Sequence, residues 1–341
     1  MNDEYLWNPA GPPDPEVERL ENLLREFRAS ERPLPILPEL SAPPRAAWSF
    51  AARPWARFAA AAILLTIATG TWFAFDSVQP FCEVQRLTGA PQVASRGVRT
   101  TARLLIGEWL ETDANSKARL NMNDVGDVVI DPNSKLQLLE TGAHRRRLLL
   151  DWGTLHAMIW APPRDFVVDT PSAVATDLGC QYTLHVDPSG SGELHVTFGW
   201  VAFDSNGRES FVPAGAMCLT RRGPGPGTPF YENAPEQFRS ALEQLDFGPQ
   251  EQAARDAALA TILSSARPQE SFTLWHLLDR TTGPERARVF DRLAQLTPPP
   301  SGVTREGILA GDRRMRDLLW DRLGLGDTSW WRFWEGPVPV R

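Results

Sequence analysis

The chain has 341 residues and a formal net charge of −7 at pH 7. This length is enough for two compact domains. The acidic balance argues against nucleic acid as a partner, because phosphate binding needs a basic surface. The 30 prolines are clustered and separate successive units of the chain.

Residues 1–57 are predicted to hold one amphipathic helix, which begins near Pro15 and is followed by a proline-rich spacer at 32–44. Its apolar stripe consists of Val17, Leu20, Leu24 and Phe27. One helix cannot bury its own stripe, so we expect a partner for it, with Trp7 as an additional aromatic anchor. The alternative is a helix that lies on the membrane or frays in solution.

Residues 58–76 are predicted to form a single transmembrane helix. The run from 58 to 75 is apolar or uncharged and spans roughly 27 Å as a helix, just enough for the hydrocarbon core of a bilayer. Arg45, Arg53 and Arg57 precede it and Asp76 follows it. The positive-inside rule then places residues 1–57 in the cytoplasm and the rest of the chain on the far side of the membrane. The alternative is a buried helix of a soluble domain.

Residues 80–222 are predicted to form an all-β sandwich or roll. Short β-branched or aromatic runs alternate with Gly, Asn, Asp and Pro turns at a spacing typical of such folds. A hairpin loop is expected at 187–192. The alternating residues around it are assigned to the core side: Leu184, Val186, Leu194, Val196 and Phe198.

Residues 223–229 read as a linker, and residues 230–341 as a small α-helical domain. Gly and Pro signals divide the latter into five candidate helices, which suggest a bundle or a HEAT-like stack. The candidates are 237–245, 249–264, 271–280, 284–296 and 304–323. A tail with Trp330, Trp331 and Trp334 is expected to lock onto this domain, or to contact the membrane.

The histidines and arginines give few signs of a catalytic, metal-binding or anion-binding site. His185 and His195 are expected opposite each other across the hairpin, as a solvated pair more readily than as part of a zinc site, since no third ligand is apparent. The run 145–147 reads as a basic turn, solvated rather than anion-binding. We expect no cofactor, no metal and no enzymatic activity, because the sequence has no phosphate loop and no nucleophile motif.

Cys82, Cys180 and Cys218 all follow the predicted membrane helix. Export permits oxidation, and Cys180 and Cys218 both adjoin strands, so a disulfide between them is predicted, with Cys82 unpaired. The alternative is a pair of small buried apolar residues.

Residues 106–218 resemble the FecR-like family, the exported module of bacterial regulators of extracytoplasmic-function sigma factors. The resemblance depends on segments in the family's order: LIGEWLETDANSKARLNM, IDPNSKLQLLE, LLDWGTL, DFVVDTPSAVATDLGCQYTLHV, LHVTFGWVAF and VPAGAMC. It implies a β domain that binds rather than catalyses.

The sequence therefore predicts an α+β, membrane-anchored regulator of the anti-sigma or sigma-regulator type. Its exported domains would sense an envelope protein or ligand, and residues 1–57 would engage a sigma factor. The alternative is an envelope scaffold or ligand-binding protein for which the N-terminal segment is only an anchor.

Overall fold

The computed structural model describes residues 81–325, apart from 123–124 and 143–144, together with Arg19. Within these residues, no helix combines the length and hydrophobicity needed to cross a bilayer. The predicted span at 58–76 and the Trp-rich tail lie outside the described residues.

The described part begins with eighteen strands, which form two sheets, and continues with helices. The strands are β1 (Phe81–Thr88), β2 (Gln92–Val93), β3 (Arg96–Gly97), β4 (Thr101–Leu105), β5 (Trp109–Thr112), β6 (Lys117–Asn121), β7 (Gly126–Ile130), β8 (Ser134–Thr141), β9 (Arg146–Ile159), β10 (Phe166–Asp169), β11 (Val174–Asp177), β12 (Gln181–Val186), β13 (Gly192–Phe198), β14 (Trp200–Ser205), β15 (Arg208–Pro213), β16 (Ala216–Arg221), β17 (Gly225–Pro226) and β18 (Phe230–Tyr231).

Sheet A has the strand order β4–β1–β6–β7–β9–β12–β13–β16, with β17 and β18 both on the outer edge of β16. Sheet B has the order β3–β2–β5–β8–β9–β10–β11–β14–β15. The sheets bury Leu and Val side chains of alternating positions between them. The predicted β-rich region followed by helices is confirmed.

Strand β9 belongs to both sheets. Its first half pairs with β8 and β10 in sheet B, and its second half pairs with β7 and β12 in sheet A. An irregularity opposite Lys135 and Leu136 leaves one extra residue, Asp151, on β9. Before the extra residue the even-numbered Leu148 and Leu150 point inward. After it the odd-numbered Leu155 points inward, because the extra residue reverses the alternation.

Gly153 makes the change of sheet sterically feasible. Its φ is +101°, and a Cβ there would overlap the side chain and Cα of Ser134. Only glycine combines this backbone conformation with such a close approach of the neighbouring strand.

One predicted core residue lies on the other face. Gln181 pairs with Phe198 while Tyr182 pairs with Val196, so Thr197 is an extra residue in β13. The bulge reverses the alternation, and Phe198 is 69% exposed instead of buried. Leu184, Val186, Leu194 and Val196 are buried as predicted.

Six α-helices follow in the described part: α1 (Glu236–Phe247), α2 (Gln252–Ser265), α3 (Ser271–Arg280), α4 (Gly283–Leu296), α5 (Arg305–Leu309) and α6 (Arg313–Arg322). A short 3-10 helix, Pro268–Glu270, lies between α2 and α3. The helix expected at 304–323 is divided in two, because Gly311 has a φ of +81° and the Asp312 carboxylate accepts the Met315 N–H, which starts α6.

Residues 223–229 do not separate the strands from the helices. They contain β17, which pairs with β16. Phe211 of β15 and Phe230 of β18 are buried in the same hydrophobic cluster as the helices. The strands and helices thus share buried surface and form one compact unit.

We predict that Gly153→Ala destabilises the chain by about 3 kcal/mol, through backbone strain and overlap with Ser134. Gly207→Ala is the matched control, since Gly207 also has a positive φ but a Cβ there would meet nothing within 4 Å. It should cost about 1 kcal/mol. Urea unfolding followed by tryptophan fluorescence measures both, and equal effects would show that the crossing of β9 between the sheets tolerates a side chain.

Candidate functional site

The junction between the strands and the helices contains an aromatic cluster, beside buried polar and charged side chains. The hairpin β14–β15 packs its aromatic side chains against α3 and α6. Trp320 lies at the centre, with ring centroids 5.5 Å from Trp200, 6.2 Å from Phe211 and 4.6 Å from Trp275. Such tilted and edge-on aromatic contacts add packing energy beyond burial and fix the helices on the hairpin.

His276 of α3 connects the helix directly to a strand. Its Nε2 accepts the backbone N–H of Phe211 at 3.2 Å, and its Nδ1 donates to the carbonyl of Phe272 at 2.9 Å. Burial lowers the pKa of His276 to about 3, with help from the charge of Arg280. The imidazole is therefore neutral at physiological pH, with both nitrogens engaged in structural hydrogen bonds.

Arg280, one turn further along α3, holds the other end of the junction. It donates to Ser210 Oγ at 2.5 Å, to Thr228 Oγ1 at 2.6 Å and to the Glu209 carbonyl at 3.2 Å. Its guanidinium also lies 3.6 Å from Asp246 of α1. Burial lowers the pKa of Arg280 to about 10, although the Asp246 charge opposes the shift, so Arg280 remains charged at neutral pH.

Asp246 is the buried counter-charge. Its carboxylate accepts the Thr228 N–H at 2.6 Å and the Arg208 guanidinium at 2.5 Å. One carboxylate thus compensates two arginines, one from β15 and one from α3. A buried ion pair of this kind is costly to break from either side.

Three cavities lie along the junction. The first, of about 760 Å³, is lined by Arg208, Arg280, Arg286, Arg313 and Arg316, together with acidic and aromatic residues. The second, of about 670 Å³, lies between Tyr231, Phe272 and Leu325. The third, of about 460 Å³, lies beside Asp246 and Phe247. These clefts have the size of small-molecule or peptide-side-chain sites and provide aromatic and charged walls.

The sequence contained one signal for this junction. His276 and Arg280 are four residues apart in an otherwise apolar helix, SFTLWHLLDR, and so lie on one face. The partners Asp246, Thr228 and Ser210 are 34–70 residues away in the chain, and no local pattern links them to the helix.

The predicted partner-binding residues lie outside the described residues: Val17, Leu20, Leu24, Phe27 and Trp7. Arg19, within the same predicted helix, is helical and exposed.

The predicted His pair is corrected by the register of the hairpin. His195 pairs with Thr183, and His185 pairs with Glu193, so the two histidines are diagonal rather than opposite. Each has its own polar neighbour: Thr154 Oγ1 lies 2.8 Å from His185, and a Glu232 carboxylate oxygen lies 3.4 Å from His195. In the described ranges, no three His, Cys, Asp or Glu side chains are grouped to hold a metal ion.

The predicted basic turn is also corrected. Arg146 and Arg147 are part of β9, and the Arg147 Nε donates to both oxygens of Asp169 on the parallel neighbour β10, at 3.1 and 2.9 Å.

Cys180 and Cys218 do not form the predicted disulfide, and all three cysteines are free and buried. Leu194 pairs with both Leu184 and Cys218, so Cys218 is level with Leu184, four residues along β12 from Cys180. Four residues span roughly 13 Å along a strand, about twice the Cα separation that a disulfide allows. Burial instead raises the pKa of all three thiols.

A second buried polar cluster surrounds Cys180. Its thiol contacts the carboxylate of Asp177, which also accepts the Gly179 N–H at 2.7 Å. Burial raises the pKa of Asp177 to about 7, although these hydrogen bonds oppose the shift. Below neutral pH the carboxyl is therefore protonated in the folded chain.

The family comparison matches residues 108–202 to the family described as FecR protein. The matched segment extends from the turn before β5 into β14 and includes strands of both sheets. No curated protein matches the chain.

Among solved structures, two crystal structures of "a putative anti-sigma factor from Parabacteroides distasonis ATCC 8503" overlap the chain. Each is 15% identical, with a TM-score of 0.32, and the overlap covers 40% of this chain and 64% of the other. This chain thus spans less than two thirds of that protein's length.

We predict that Arg280→Met destabilises the chain by about 3 kcal/mol, because the buried Asp246 carboxylate loses the more buried of its two counter-charges. The double variant, Arg280→Met with Asp246→Asn, should lose less free energy of unfolding than the two single variants lose in sum, as a double-mutant cycle measures. Arg288→Met is the control: its ion pair with Asp256 is exposed and screened by solvent, so the loss should be much smaller. Equal losses for Arg280→Met and Arg288→Met would contradict a structural role for the junction.

A further prediction concerns pH. The folded pKa of Asp177 is about 7 and the unfolded value is near 3.8, so the folded state holds the extra proton between these values. The contribution of Asp177 to the free energy of unfolding is fully present below about pH 4. It is lost as the pH rises to about 7, and the loss amounts to up to about 4 kcal/mol. Asp177→Asn should flatten this part of the stability curve from thermal unfolding at pH 4.5 to 8. An unchanged slope would assign the pH dependence to other groups.

Proposed function

We propose, on the premise that residues 108–202 are a FecR domain, that this chain is a single-pass membrane regulator of a sigma factor. Residues 1–57 would lie in the cytoplasm of a bacterium and residues 58–76 would cross the inner membrane. The strands and helices from 81 onward would lie beyond it and respond to an envelope protein or ligand by binding. The family match at 108–202 supports the regulatory part of this proposal. The uncharged run at 58–75 supports the membrane part.

The described chemistry supports binding over catalysis. Burial raises the pKa of the three thiols, which keeps them protonated, and His276 is neutral with both nitrogens in structural hydrogen bonds. The clefts along the junction offer aromatic and arginine walls for a ligand or a partner's side chains.

The cytoplasmic part of the proposal depends on the stripe of the N-terminal segment. Burial of a large apolar side chain contributes roughly 1.5–3 kcal/mol, so a groove that accepts Leu20 and Leu24 would gain a substantial part of its affinity from them.

We predict that the double change Leu20→Asp and Leu24→Asp in the full chain abolishes capture of a sigma factor in a bacterial two-hybrid assay and changes a sigma-dependent reporter. Asn22→Asp with Ala29→Asp is the control, since it adds the same two negative charges on the opposite side of the same predicted helix. Membrane fractionation verifies that both variants are still inserted. Wild-type capture by the Leu variant would favour the alternative in which the segment is only an anchor of an envelope scaffold.

A further inference from the structure

Exposed apolar side chains gather at one end of sheet A. Seven large apolar residues are exposed in the described part, and five of them lie at the end where β1 begins. These five, called the apolar end below, are Phe81, Ile106, Met158, Trp160 and Phe198. Their exposed fractions rise to 58% for Trp160 and 69% for Phe198.

The strand register places these residues in a row along one end of the sheet. Phe81 pairs with Leu105, which immediately precedes Ile106. One row further into the sheet, Glu83, Asn121, Asp127, Met158, Gln181 and Phe198 follow one another from strand to strand. Trp160 is two residues beyond Met158, level with Phe81 at the end of the sheet.

Four of these five side chains point away from the core on one face of sheet A, and Ile106 lies just beyond the end of β4. Cys82 and Ile159 are buried, so their strand neighbours Phe81, Met158 and Trp160 face outward by alternation. Phe198 joins them only because of the bulge at Thr197. Without that extra residue it would be a core side chain, so the bulge enlarges the exposed surface at the cost of buried area.

The chain position of this end points to an occupant. The predicted membrane segment ends at residue 76, and residues 77–80 alone connect it to Phe81. Four extended residues reach at most about 14 Å. If the chain is anchored as proposed above, the start of β1 stays within that distance of the bilayer surface.

We infer that the apolar end of sheet A rests on the outer surface of the membrane, with Trp160 and Phe198 in the lipid interface. This inference depends on the membrane anchor of the proposed function. Tryptophan favours the interfacial region, and phenylalanine is among the apolar side chains that bury into the boundary of headgroups and acyl chains. The short connection gives the lipid surface a high effective concentration.

The charges at this end indicate which property of the lipid matters. The Arg103 guanidinium lies 4.5 Å from the centre of the Phe81 ring and is paired along the register with Glu83, and Asp127 lies in the same row as Met158. Charges of both signs are thus present, and the contact is an apolar one that needs no anionic lipid. It should persist at about 0.5 M salt, where exposed charge pairs are screened.

The test uses the full chain in nanodiscs of phosphatidylethanolamine and phosphatidylglycerol, with and without a lipid carrying a nitroxide at its headgroup. Trp160→Cys and Phe198→Cys receive an environment-sensitive fluorophore. The native thiols are buried, so the introduced cysteine is the one that reacts. Leu87→Cys is the matched control: Leu87 is also exposed and apolar, and it lies on β1 roughly 20 Å from Phe81. Circular dichroism verifies the fold of each variant.

We expect the nitroxide lipid to remove about half of the fluorescence at positions 160 and 198 and much less at position 87. Equal quenching at all three positions, in a chain that stays with the nanodisc, overturns the inference and leaves the anchor intact. A label that is shielded from water without nitroxide quenching also overturns it, since a protein or a second copy would then cover the end. A chain that does not enter the nanodisc overturns the anchored function, and this inference with it.

Discussion

The membership of β9 in both sheets determines where the other strands lie. In sheet B it separates β8 from β10, and in sheet A it separates β7 from β12. The change of sheet needs an extra residue at Asp151 and a positive φ at Gly153, so that inward-facing leucines continue on both sides of the bend. Because the two sheets share one strand, they cannot slide or separate without breaking its hydrogen bonds.

The helices pack on the edge of sheet B. Sheet B ends in the β14–β15 hairpin, and this hairpin supplies Trp200, Phe211 and Ser210 to the helical side. The buried charges of Arg280 and Asp246 then fix α3 and α1 relative to the strands. A molecule in the clefts of the junction would therefore contact both layers at once.

Sequence patterns predicted much of this architecture because the periodicities are local. The helix expected at 271–280 has these bounds in the structure, and the buried alternation of Leu184, Val186, Leu194 and Val196 follows from the pleat. What failed depends on single extra residues or on contacts distant in sequence. One inserted residue at Thr197 moved Phe198 to the surface, and a register two residues away from expectation separated His185 from His195.

The candidate site shows the same limit. The pairing of Arg280 with Asp246, and the distance between Cys180 and Cys218, are set by the order of strands in the sheets rather than by their sequences. The sequence shows that both cysteines adjoin strands. It does not show whether they are paired across strands or are offset by four residues along the strand direction.

The placement of β1 has a mechanical consequence. Its backbone is hydrogen-bonded on both edges, to β4 and to β6, and both neighbours are antiparallel. Tension from the preceding segment would enter at Phe81 and act along the strand, across bonds that lie perpendicular to it. Such a pull acts in shear on both ladders together, whereas an edge strand pulled in the same direction would resist with a single ladder. A pull on the chain before Phe81 would therefore load both ladders of β1 at once.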